Sequence, residues 1–264
     1  MEANLYQTDG KIARRIELPK VFETEFRVDL VRRALLAEQS ERYQPQGRYK
    51  YAGMETTATY VGRRGAFRTG RQLGIAIRPK QKLGGGAMGY VRRIPSSTKG
   101  RRAHPTKVEK RLVERINSKE RLSAIESAIG ASASDALKER LNLKINLPVV
   151  VDSSIEKFSK SKELMALFKN LNLLDEINLS HKPKLDAYRR NSKAKTRKFR
   201  KTALIVAKDS SNLEKAGRNI PGVDVCSVEK MSVSLLAPGA MPRLIIWSES
   251  AVNALAQMQN LVKK

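Results

Sequence analysis

Residues 203–247 read ALIVAKDSSNLEKAGRNIPGVDVCSVEKMSVSLLAPGAMPRLIIW. Three nearly unbroken apolar runs stand in this stretch, ALIVA (203–207), VDVCSV (223–228) and LIIW (244–247), with short helical or turn segments between them. A strand that is apolar on both faces belongs inside a parallel sheet covered by helices on each side. Upstream, residues 147–151 (LPVVV) make another strand of this kind, followed by Leu164, Leu167, Phe168 and Leu171 at helical spacing. Downstream, Ser248 reads as the N-cap of a final helix carrying Val252, Leu255 and Leu261. The expected fold class is therefore α/β, a mostly parallel sheet flanked by helices, with a long extended internal loop.

The N-terminal residues, to about 42, add ordinary globular patterning. Asp9-Gly10 is a hairpin-turn signal, and Ile12, Ile16 and Leu18 share one face of a strand that Pro19 closes. Val28, Val31, Leu35 and Leu36 gather on one side of a helix, with Arg32, Arg33 and Glu38 elsewhere around it. After the loop, Val108, Leu112 and Ile116 predict a helix, and Leu122, Ile125 and Ile129 continue or follow it before Gly130.

Residues 43–105 are different. They hold 14 Lys and Arg against one acid, Glu55, together with 11 of the 16 glycines, and no sustained apolar period. Such a segment cannot bury enough apolar surface to offset its ordering entropy, so it needs a partner to acquire a shape. The expected organisation is a globular body, 1–42 with 106–264, and an extended basic loop, 43–105.

The whole chain carries 52 Lys and Arg against 26 Asp and Glu, a formal charge of +26 over 264 residues. A standing polyanionic partner explains that imbalance, and nucleic acid fits because each neutralised phosphate releases condensed counterions. The loop cations are dispersed among glycines and rings: Arg48, Lys50, Arg63, Arg64, Arg68, Arg71, Arg78, Lys80, Lys82, Arg92, Arg93, Lys99, Arg101 and Arg102. Arginine forks grip phosphates or base edges, while Tyr43, Tyr49, Tyr51, Tyr60, Phe67 and Tyr90 offer stacking platforms for unstacked bases. A flexible linker, the plain alternative, has no use for six aromatics. His104, at the end of the loop, is a further RNA contact by position. A second basic tract, 182–201, contributes Arg189, Arg190, Arg197, Lys198 and Arg200 just before the ALIVA strand.

Other classes fare worse. No apolar run approaches the roughly 18 residues of a membrane span, and MEANLYQTDG lacks a signal-peptide layout, so the expected setting is cytoplasmic with no membrane partner. The single cysteine, Cys226, sits in a strand-like run and reads as a buried core residue. Gly84, Gly86 and Gly89 have dinucleotide-loop spacing, but no buried strand precedes them and Pro95 interrupts the segment after them. With two histidines, His104 and His181, and no clustered carboxylates, neither a metal, a cofactor nor a catalytic site is expected. A basic RNA-processing enzyme using His104 or Asp175-Glu176 is the rival class, and a DNA-compacting protein the next.

Two further motifs bear on family. Lys99-Gly100-Arg101-Arg102-Ala103-His104-Pro105 and Gly53-Met54-Glu55-Thr56-Thr57-Ala58, together with the closing strand 243–248 and its terminal helix, resemble large-subunit ribosomal protein four of the archaeal and eukaryotic type. The resemblance covers nearly the whole chain. Thr106 departs from it, standing where a second proline is expected, and the chain lacks the long C-terminal extension of eukaryotic members, which favours the archaeal type. The resemblance implies a structural, non-enzymatic constituent of the large ribosomal subunit that binds ribosomal RNA, supports assembly and neighbours other large-subunit proteins. It also implies a loop tip at 62–71 lining the polypeptide exit tunnel with Arg63, Arg64, Phe67, Arg68 and Arg71.

Overall fold

The structure is a computed structural model describing residues 1–60, 62, 65, 77–179, 184–185 and 197–262, with backbone alone at 184–185, 197–198 and 258–262. It divides into two compact units, one formed by Met1–Arg42 with Glu114–Lys264 and the other by Tyr43–Val113. The chain begins with strands β1 (Glu2–Tyr6) and β2 (Ile12–Glu17) and helix α1 (Val28–Ser40). Strands β3 (Lys80–Lys82) and β4 (Met88–Val91) belong to the second unit. Helices α2 (Ser118–Ser132) and α3 (Asp135–Arg140), strand β5 (Val149–Val151), and helices α4 (Ser161–Asn170) and α5 (Leu174–Asn178) follow. The small pair β6 (Lys184–Leu185) and β7 (Arg197–Lys198) precedes β8 (Ala203–Ala207), helix α6 (Ser211–Gly217) and β9 (Asp224–Ser227). Helix α7 (Val233–Leu236), strand β10 (Leu244–Ser248) and helix α8 (Glu249–Val262) end the chain.

The main sheet has six strands in the order β2-β1-β5-β10-β8-β9. The β1–β2 hairpin is antiparallel, and every other pairing in this sheet is parallel. The α/β expectation holds, and its physical basis is visible strand by strand. Val150, Leu204, Val206, Ile245 and Trp247 point into a core shared with Val31 and Leu35 of α1, Ala124 and Ala128 of α2, and Val252 and Leu255 of α8. Their neighbours Val149, Val151, Ile205, Leu244 and Ile246 point the other way, onto Leu164, Leu167 and Phe168 of α4 and Leu213 and Ala216 of α6. Burying each such side chain contributes about 1.5 to 3 kcal/mol, so both layers are needed. Trp247 is fully buried and meets Phe22 edge to face, with centroids 5.3 Å apart.

Several local expectations shift. The predicted 108–116 helix does not form; the backbone there is irregular, Val108 is 65% exposed, and Glu114 N instead donates to Ser40 Oγ at 2.8 Å. In α1 the buried stripe is Val31, Ala34, Leu35 and Ala37, while Val28 and Leu36 are exposed. Glu38 joins the buried side, accepting hydrogen bonds from Val233 N at 3.1 Å and Ser234 N at 2.9 Å. Leu122 likewise faces out, and Gly130 does not end α2. It lies inside the helix against the Thr24 carbonyl, where a Cβ would collide with that oxygen. Ser248 does cap α8, accepting from Ala251 N at 3.1 Å. The side chain of Leu261 lies outside the described residues.

The two ends of the parallel strands carry different polar groups. At the C-terminal ends, Glu156 Oε1 accepts from Lys208 N at 2.9 Å and from the Ser248 and Ser250 hydroxyls. At the N-terminal ends, Arg243 and Lys201 donate to the two oxygens of Asp224 at 2.7 and 2.5 Å. Burial alone would raise the Asp224 carboxyl pKa, but these two cations outweigh it and hold the group below its ordinary 3.8.

Because the native pKa is depressed, the stabilisation by Asp224 is complete above 3.8 and is lost as pH falls through that value to the lower native one. Asp224→Ala, which leaves Arg243 buried without its counter-ion, lowers the unfolding free energy by about 3 to 5 kcal/mol at neutral pH. Urea unfolding checks this, and a deficit unchanged in acid would refute the assignment. Burial also pushes the Cys226 thiol up to about 12. Alkylation at mildly alkaline pH is therefore expected only after unfolding; full modification of the folded chain would contradict that placement.

Candidate nucleic-acid interface

The unit Tyr43–Val113 carries 17 Lys and Arg against two acids, Glu55 and Glu109. Hydrogen bonding takes much of the place of apolar packing in joining its outgoing and returning arms. Arg48 N donates to the Thr106 carbonyl at 3.1 Å. Gly53 adopts φ +79°, and a Cβ there would come within 2.9 Å of Arg101 Cα, so the arms touch backbone to backbone. The β3–β4 hairpin belongs to the same unit, with Gly84–Gly86 forming its turn and Gly89 inside β4. The glycine spacing thus makes a β-turn, with no helix following it to receive a pyrophosphate. Thr59 bridges to Lys80, and Ala58 is fully buried beside it.

The arginines divide by what they touch. Arg92 donates through Nε and Nη2 to Gln81 Oε1 at 3.3 Å and through Nη1 to the Lys99 carbonyl at 3.1 Å. Arg93 reaches the Thr56 carbonyl and Arg78 reaches Ser97 Oγ, both at 3.3 Å. These three fasten the unit internally. Lys99 sets its ammonium 4.0 Å from the centre of the Tyr90 ring, a cation–π contact on an exposed aromatic.

A second set is free to act outward. Arg48, Lys50, Arg101 and Arg102 line a small hollow with Tyr49 and Pro105. Among the described residues no carboxylate pairs with any of these cations, and the exposed His104 imidazole likewise makes no hydrogen bond. Glu55, the acid nearest Lys50 in sequence, is occupied by the Tyr49 hydroxyl, which donates to it at 2.6 Å. That bond raises the Tyr49 phenol above its ordinary 10.0, so the ring stays neutral. Tyr49 and Tyr51 stand edge to face with centroids 5.8 Å apart, both exposed. Unpaired guanidinium groups beside wet aromatic faces can grip phosphates and receive bases.

Arg63, Arg64, Phe67, Arg68 and Arg71 lie outside the described residues, as do Arg189 and Arg190. Arg197 and Lys198 are described as backbone in β7 only. Arg200 belongs to the other unit and pairs with the buried Glu176 at 3.3 Å. Burial raises the Glu176 carboxyl pKa despite the Arg200 and Arg140 charges beside it. Lys107, Lys110 and Arg111 were missed: they extend the basic return arm past Pro105, all exposed, and the charge run in KVEKR was the available signal.

Comparison with known proteins identifies the family. The model of the ribosomal protein L4/L1 family matches residues 16–258. The large ribosomal subunit protein uL4 of Methanocaldococcus jannaschii is 38% identical over 264 residues, covering 97% of this chain and 99% of that protein. The uL4 proteins of Methanospirillum hungatei JF-1 and Methanococcus vannielii are 38% and 37% identical, over 98% and 97% of this chain and 100% and 99% of their own lengths. Matched across nearly its full length in both comparisons, the chain belongs to the ribosomal protein L4/L1 family.

Proposed function

We infer that this chain is a structural, non-enzymatic constituent of the large ribosomal subunit, located with it in the cytoplasm. Its partners are the RNA of that subunit and neighbouring large-subunit proteins. Residues 1–42 and 106–264 act as the globular body, and 43–105 as an RNA-binding loop whose tip, 62–71, lines part of the polypeptide exit tunnel. The names of its archaeal relatives support the subunit assignment. The observation that carries RNA binding is the group Arg48, Lys50, Arg101 and Arg102, gathered at one hollow without a carboxylate partner among the described residues. Like charges held this close repel one another, and a polyphosphate chain relieves the repulsion while releasing counterions.

On this reading the loop supports assembly by holding together RNA segments that contact its two arms. The internal ties of Arg78, Arg92 and Arg93 give the arms a common shape, and the outward cations and rings provide the contacts. The RNA-processing alternative finds no support in membership of a ribosomal family, and Glu176 of its candidate acidic pair is engaged by Arg200. No helix among the described residues is long and apolar enough to cross a membrane.

Replacing Arg101 and Arg102 with Gln is expected to weaken binding to large-subunit RNA. It should also reduce the slope of log K against log salt by about one unit for each phosphate no longer gripped. An unchanged slope in filter binding would mean that these side chains face elsewhere. Deleting 62–71 is expected to leave one cooperative melting transition while altering the tunnel. Loss of that transition in calorimetry would make the tip part of the folding core.

A further inference from the structure

Away from the loop, the body contains a hollow of about 410 Å³ at the N-terminal ends of β8 and β10. That is within the range of small-ligand pockets, roughly 300 to 1,000 Å³. Its polar wall is Arg140, Glu176, Arg200, Lys201, Thr202 and Arg243. Each position follows from the fold. Arg140 ends α3, Arg200 to Thr202 lead into β8, Arg243 leads into β10, and Glu176 projects from α5.

The cations exceed what the local acids can satisfy. Glu176 engages Arg200, and Asp224 engages both Lys201 and Arg243. Arg140 gives one N–H to the Pro242 carbonyl. Arg243 is only 3% exposed, yet its Nε and Nη2 have no hydrogen-bond partner among the described residues. Two unsatisfied donors on a buried guanidinium are costly, each on the order of 1 to 3 kcal/mol, and an acceptor nearby offsets part of that. Leu141, Pro238 and Met241 give the lining an apolar wall as well.

The geometry points to a phosphate-binding pocket at this edge of the sheet, with the phosphate held by Arg140, Arg200 and Lys201 in front of the buried Arg243. A phosphate oxygen cage accepts several charge-assisted bonds from differently oriented forks, which a carboxylate with two oxygens does less well. The apolar wall suits a phosphate carried on an organic group. The pocket lies wholly within the body unit and does not depend on the loop's binding RNA.

Titration of the full chain with inorganic phosphate, with chloride holding ionic strength constant, tests the pocket by phosphorus NMR line width and by melting temperature. The expected result is saturable binding with a rise in melting temperature. Arg140→Gln and Arg200→Gln should each weaken it roughly tenfold or more, as loss of a charge-assisted bond implies. Lys162→Gln, an exposed cation on α4, should leave it unchanged. Arg140 and Arg200 are exposed, so their variants stay informative even if an Arg243 variant fails to fold. A short RNA with hydroxyl ends that competes with phosphate in the wild type, but not in Arg140→Gln, identifies a backbone phosphodiester as the natural occupant. Failure of that RNA to compete while a mononucleotide does so identifies a free phosphate ester. Absence of saturation, or equal binding by the wild type and both pocket variants, overturns the proposal.

Discussion

Strands β5, β8 and β10 have no side on which water is tolerated. Every residue of each is buried, so helices have to cover both faces of the sheet at once. No single stretch of chain supplies that cover. One layer takes α1 from before the basic insertion and α2 and α8 from after it; the other takes α4 and α6. The N-terminal segment is therefore held in the body by the same apolar burial that holds the sheet. The insertion can leave after Arg42 and return at Glu114 without removing a strand from it. Ser40 closes that junction, its hydroxyl donating to Ala37 O while accepting from Glu114 N. Closing so long an excursion costs little more than closing a short one, because loop entropy grows only logarithmically with length.

Charge sets the second constraint. A segment this basic can use neither leucines nor ion pairs to organise itself, since it has few of the first and almost no acids for the second. Arginine takes over part of the structural work through neutral acceptors: backbone carbonyls, the Gln81 amide and the Ser97 hydroxyl. Arginines with the same sequence character thus split into those that tie the arms together and those with no such acceptor among the described residues. Composition alone cannot separate the two groups, because what distinguishes them is the presence of an acceptor contributed by another part of the segment.

The buried parallel strands were legible because their apolar runs are short, continuous and bounded by turn residues. The cap at Ser248 and the core position of Cys226 were legible for the same local reasons. The misses have a tertiary origin. Val108, Leu112 and Ile116 have helical spacing, but spacing is only a prior, and Val108 found no apolar surface to cover. Glu38 reads as a solvent residue in the sequence, but α7 presents two backbone N–H groups that its carboxylate accepts. At the candidate interface, the dispersed cations and aromatics of the loop could be read directly. Arg140 and Arg243 could not, since they stand far apart in the chain and meet only at the strand ends.

The contact of Glu156 with Lys208 N, Ser248 and Ser250 has a meaning for the fold as a whole. In open α/β sheets, ligands usually settle beyond the carboxyl ends of the strands, where loops and helix N-termini leave a crevice. Here the chain fills part of that crevice with its own carboxylate, which would repel an incoming anion. Two donors left over among the described residues, Nε and Nη2 of Arg243, are at the reverse edge. The sheet's customary mouth is thus partly taken up by an internal carboxylate, and the buried guanidinium with donors to spare stands at the opposite edge.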